Sequence, residues 1–94
     1  MDDSDKIMKG LTALAIEKTL LDIGKPVYQK VADTLYKKYQ CYIPDCFENP
    51  EYLQTVLKEL YGKSYDEIIK SIQRELKEFS DREGIKKFLQ VLSR

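Results

Sequence analysis

Apolar residues recur at intervals of three and four along most of this 94-residue chain, the period of a helix with one face turned inward. Val27, Tyr28, Val31, Leu35, Tyr39 and Tyr42 form one such series. Pro26 suits the first turn of the helix that carries it, which should run to about residues 39–41. Leu53, Val56, Leu57 and Leu60 mark another helix, preceded by Asn49-Pro50, a capping residue followed by a first-turn proline. Tyr65, Ile69, Ile72, Leu76 and Phe79 step by four, three, four and three, which predicts a helix over 65–79. Ile85, Phe88, Leu89 and Leu92 predict a last one. The intervening segment, Gln40 to Asn49, reads as an ordered loop.

The junctions are marked as well. Gly62 offers a left-handed residue to end one helix, and Ser64 with Glu67 has the spacing of a capping box to start the next. Two helices joined over about three residues should pack as a hairpin. Ser80 and Glu83 repeat the box before the last helix, whose first turn Gly84 weakens by up to ~1 kcal/mol relative to alanine. The expected fold is all-α: a compact bundle of about five helices joined by short turns, with residues 4–94 as one helical domain behind a disordered acidic tail at 1–3.

The first helix departs from this pattern. It should start at a Ser4 or Asp5 cap and end at Gly24, and it is apolar nearly all round. Ile7, Leu11, Leu14 and Leu21 line one face, while Met8, Ile16, Leu20 and Ile23 occupy the others. A helix of this kind is covered on more than one side. In a small protein the second cover is plausibly another copy of the chain, so Ile7, Leu11, Leu14 and Leu21 are the candidate dimer interface. Lys18 interrupts that stripe.

Composition narrows the chemistry. Sixteen Lys and Arg balance sixteen Asp and Glu, which argues against a general polyanion binder. Residues 1–5 hold three of the acids, so 16 bases face 13 acids beyond them, a net of +3 that leaves room for a basic face. Histidine is absent, and with it the commonest general base and metal ligand. No phosphate-binding glycine loop, serine triad or metalloprotease motif occurs. The expectation is a non-enzymatic protein with no cofactor. No apolar run reaches the ~18–20 residues of a membrane span and the N-terminus is acidic, which point to a cytoplasmic setting without membrane contact.

Two patches carry alternatives. Lys70, Arg74 and Lys77, spaced four and three on the outer face of the fourth helix with Lys63 near its start, could meet nucleic-acid phosphates. The short turn before them fits a DNA-binding helix-turn-helix. Against this, Asp66 lies four before Lys70 and Arg74 four before Glu78, the spacing of ordinary helix ion pairs. Cys41 and Cys46 lie five apart beside Asp45 and Glu48. They would serve a structural zinc site only awkwardly, and a redox pair would need a thiolate-favouring neighbour. Small apolar side chains packing a loop is the simpler reading. Tyr28, Tyr39, Tyr52 and Tyr65 fall on or beside inward faces and read as core.

Three stretches resemble a known family: Ala15-Ile-Glu-Lys-Thr-Leu-Leu-Asp-Ile-Gly-Lys-Pro-Val-Tyr28, then Cys41-Tyr-Ile-Pro-Asp-Cys46, and Phe88-Leu-Gln-Val-Leu-Ser-Arg94. They look like the Nitrososphaera output domains, small helical domains of ammonia-oxidising archaea. The resemblance implies a terminal module of signal-transduction or regulatory proteins, acting in transcription. It brings no site residues with it. Together these features favour a regulatory module that works through contact with an as yet unknown regulatory protein and with its own copy, with DNA binding as the alternative.

Overall fold

In the computed structural model, which describes the backbone from Asp3 and side chains from Ser4 to Arg94, five α-helices account for most of the chain. They are α1 (Asp3–Ile23), α2 (Lys25–Tyr39), α3 (Pro50–Tyr61), α4 (Tyr65–Glu75) and α5 (Glu83–Leu92). Short 3-10 turns occupy Ile43–Phe47, Gly62–Ser64 and Lys77–Phe79. No strand occurs among the described residues, so the all-α bundle is the fold. The expected tail at 1–3 lies outside the described residues except for Asp3, which already begins α1.

α1 is the shared wall of the bundle. It packs against α2, the Ile43–Phe47 turn, α4 and α5, while α3 fills the far side against α2 and α5. Ile16 and Leu20 of α1 meet Val31 and Leu35 of α2, Leu53, Val56 and Leu57 of α3, Ile72 of α4 with Leu76 just beyond it, and Ile85, Phe88 and Leu92 of α5 in one core. Tyr65 is buried and donates its hydroxyl to the Leu92 carbonyl at 2.6 Å, and Gln54 donates to the Val91 carbonyl at 3.0 Å. Tyr65 thereby satisfies one carbonyl at the end of α5, and Gln54 joins the Arg94 amide on another. Tyr39 and Tyr52 stack with ring centroids 4.1 Å apart, joining α2 to α3 beside the Lys38–Glu59 ion pair. Thr12 and Thr19 are buried on α1 with hydroxyls that have no hydrogen-bond partner among the described residues, each a cost of about 1–3 kcal/mol that the surrounding packing offsets.

Several junctions differ from the sequence expectation. Gly62 is right-handed (φ −39°, ψ −50°), so it does not reverse the chain; Gly62–Ser64 winds on as a 3-10 turn. The anticipated α3–α4 hairpin is correspondingly slight, and α4 packs chiefly on α1. Neither capping box forms: Ser64 makes no capping hydrogen bond, and Ser80 donates to the Lys77 carbonyl at 2.9 Å instead. That local bond is the kind serine uses to compete with a helix, and here α4 stops at Glu75 rather than Phe79. Ser4 and Asp5 lie inside α1, which already includes Asp3, rather than capping it. The left-handed residue falls at Gln40 (φ 53°), where the Gln40 and Cys41 amides reach back to the Tyr36 and Leu35 carbonyls and end α2.

Gly84 has a reason that helix propensity misses. A Cβ there would lie 2.8 Å from the Phe47 ring tip and 3.2 Å from the Met8 thioether. Glycine lets the first turn of α5 close on α1 and on the cysteine-bearing turn. Gly84→Ala should therefore lower stability despite the ~1 kcal/mol that propensity favours. In a Phe47→Leu background the same change should cost less. Urea unfolding of the four-protein cycle checks this; a gain in stability from Gly84→Ala alone would contradict it.

Candidate functional site

The outer face of α1 is the most distinctive surface. Ile7, Leu14 and Leu21 are 60%, 64% and 48% exposed, although Met8, Ala13, Ala15, Ile16 and Leu20 between them are buried. Seven residues advance an α-helix to within about 20° of two full turns, so the three line up along its length. Leu11 is half-buried at the edge of the stripe. Glu17, half-buried, and Lys18, exposed, also border it, and Gly10 lies beside it with open space around. All four expected interface residues thus share one face: three stand clear of the core and Leu11 leans partly into it. Sequence left open which face of α1 is internal. The answer is the face carrying Met8, Ile16 and Leu20.

Lys18 is anchored on the α4 side of the stripe, 3.1 Å from Asp22 and 3.7 Å from Glu75. Lys9, further round α1, reaches Glu48 at 3.0 Å and Asp45 at 3.5 Å, and the hydrogen bond to Glu48 raises its pKa above the ordinary value. Sequence alone did not single out Lys9, because its partners are some forty residues away along the chain.

That ion-pair cluster settles what the acids of the cysteine turn do. The Asp45 carboxylate accepts the Tyr42 amide at 3.1 Å and faces Lys9, and the Asn49 side chain donates to the Asp45 carbonyl at 3.1 Å. Cys41 and Cys46 are free thiols, both buried, with sulfurs 3.4 Å and 3.9 Å from the Tyr42 carbonyl. Burial pushes both thiols above their ordinary value of 9.0, Cys46 the further. Thiols so placed behave as small apolar packing groups rather than as nucleophiles. Among the described residues no three His, Cys, Asp or Glu side chains converge to hold a metal ion.

On α4, Lys70, Gln73, Arg74 and Lys77 line one shallow concave strip. Lys77 reaches it from the 3-10 turn rather than from the helix, and Lys63 lies apart, on the turn before α4. None of Lys63, Lys70, Arg74 and Lys77 has a carboxylate within ion-pair distance among the described residues, so the helix pairs expected with Asp66 and Glu78 do not form. Arg74 instead donates to the Ser71 hydroxyl at 3.1 Å. A separate recess of about 250 Å³ opens between Ile23, Val27, Tyr61 and Ile68. No helix of the described residues is long and apolar enough to cross a membrane.

Comparison with known proteins finds no family model, no curated protein and no solved structure that matches the chain. The site therefore has to be read from its own chemistry.

The shifted groups agree in direction. Cys41, Cys46 and Tyr65 are raised by burial, and Lys9 by its acidic partners. A raised pKa means the folded state holds its proton after the unfolded chain has released it. Stability is then whole below the unfolded values, from about pH 9 for the thiols, and declines as pH climbs through them. Urea unfolding at pH 7, 9 and 10 should show a falling midpoint above pH 9; a flat profile would contradict the burial of these groups.

Proposed function

We propose that this protein is a non-enzymatic regulatory module that acts by protein–protein contact and pairs with its own copy through α1. The observation that carries the reading is the aligned stripe of Ile7, Leu14 and Leu21, about half or more exposed on the helix whose other side is the centre of the core. Isolated surface leucines are ordinary, but apolar residues repeated at seven along a helix form the seam on which helices pair. The resemblance to the Nitrososphaera output domains agrees with a module of signal transduction that transmits by contact. Buried, unactivated thiols and acids tied to Lys9 leave the cysteine turn a structural part.

Sedimentation equilibrium of the full chain should give a dimer. Leu14→Asp should shift it to monomer while leaving the monomer's unfolding free energy within ~0.5 kcal/mol, because Leu14 takes no part in the core. A monomer for the unmodified chain rejects the reading.

A second reading has one observation in its favour: Lys70, Arg74 and Lys77 face a common strip without acidic partners among the described residues. DNA binding through these residues loses the helix-turn-helix argument, since Gly62 makes no reversing turn. It keeps the phosphate-matching charge. Lys70→Glu with Arg74→Glu should abolish retention on duplex DNA at low salt, and retention should fall with salt in the unmodified chain. Equal retention of both proteins, or none by either, removes this reading.

A further inference from the structure

If α1 pairs with its copy, as proposed above, the charges beside the stripe decide how. We infer that two copies meet antiparallel along α1, with Leu11 of each against the partner's Leu14. Lys6 of each then lies beside the partner's Glu17.

The argument starts from positions around the helix. At 3.6 residues per turn, with Leu14 facing the partner, Lys6 and Glu17 lie on one flank of the stripe. Lys18 and Asp22 lie on the other. Lys18 is already held by Asp22 and Glu75 of its own chain. Lys6 is exposed and Glu17 half-buried, and neither has an ion-pair partner among the described residues. One flank is electrostatically complete and the other holds an unmatched cation and an unmatched anion.

A two-fold axis that sets the helices antiparallel brings each flank against the same flank of the partner. With Leu11 across from the partner's Leu14, Glu17 falls level with position 8 of the other helix. That is two residues, or about 3 Å along the axis, from the partner's Lys6. A lysine stem spans that offset, and symmetry forms the pair twice. The finished flank repeats too: Lys18 lies level with the partner's Ile7 and can lay its apolar stem over it while its ammonium stays with Asp22. Gly10, which has no neighbour within 4 Å of a Cβ, leaves the backbone clear beside the two leucine layers.

Parallel pairing fits worse. It sets Lys18 beside the partner's Lys18 in the seam and directs Glu17 toward the partner's Asp22, both like-charge contacts. It also leaves Lys6 eleven residues from either Glu17, about 16 Å along the axis.

The test uses charge exchange in the full chain. Lys6→Glu and Glu17→Lys, each alone, should raise the dimer dissociation constant about tenfold or more, since each replaces two attractions with two repulsions. An equimolar mixture of the two variants should regain the unmodified affinity to within about threefold, because each supplies the charge the other lacks. The restored mixture also shows that both variants fold. In parallel, Leu21→Cys should form no more intermolecular disulfide on oxidation than the unmodified chain, since antiparallel copies hold these positions about 25 Å apart along the axis. A dimer that ignores both charge reversals, a mixture that stays weak, or ready self-linking of Leu21→Cys would overturn the antiparallel geometry and leave self-pairing standing. An unmodified chain that is monomeric would overturn both.

Discussion

The whole structure depends on α1 being covered along the length of its inner face. Thr12, Ile16 and Leu20 are fully buried, and Met8, Ala13, Ala15 and Thr19 nearly so. Four other elements lie against this one helix. Small residues make that crowding feasible: the two alanines admit neighbours from both sides, and Gly84 lets α5 approach Met8. The cost appears at Thr12 and Thr19, whose hydroxyls are buried without hydrogen-bond partners among the described residues. Such groups are tolerated only where the surrounding packing is strong enough to offset them. The inner face of α1 is therefore fully committed, and only its outer stripe is free to do anything else.

Much of this architecture was legible because it rests on strong local signals. Gly24, Pro26 and Asn49-Pro50 punctuate the chain where the helices do break, and the three–four spacing picks out the buried faces of α2 to α5. The misses share a cause. Ser64 and Ser80 sit at capping-box spacing, but a box requires the chain to enter the helix from an extended residue. Gly62–Ser64 enters α4 in 3-10 conformation instead, and α5 takes its extended entry residue at Arg82, two past Ser80, so Glu83 is the first residue of that helix and not its third. Gly62 stays right-handed because the winding continues through it, and Gln40, a residue with no left-handed preference, takes that conformation because the α2 carbonyls need its amide. Preference is local, whereas the closing of a turn is decided by what packs behind it.

The candidate site was legible in part, for the same reason. The stripe at 7, 11, 14 and 21 could be read from spacing. Which face of α1 it occupied could not, since a helix apolar all round has no periodic signal to orient it. The cysteine turn keeps its simpler reading, small apolar side chains packing a loop. Two thiols beside two acids look like chemistry in a line of letters, but Lys9 arrives from α1 to claim both acids, and burial holds the thiols protonated. Long-range partners of this kind leave no trace in spacing. At the basic strip, by contrast, the right spacing for ion pairs with Asp66 and Glu78 does not produce them among the described residues.

These corrections weigh the two surfaces against each other. The basic strip gained free charge but lost the turn that would have presented α4 as a reading helix, so it retains only what any group of exposed cations offers. The α1 stripe gained on two counts. Its residues proved exposed where they could have been core, and its flanks proved unequal. One carries a closed Lys18–Asp22–Glu75 cluster; the other carries Lys6 and Glu17 without ion-pair partners among the described residues. Exposed leucines alone fit any apolar partner. Leucines bordered by one unmatched charge of each sign, at positions that a two-fold axis brings together, fit a second copy of the same helix better than a surface of unrelated sequence. That self-complementarity gives the interaction reading the stronger claim.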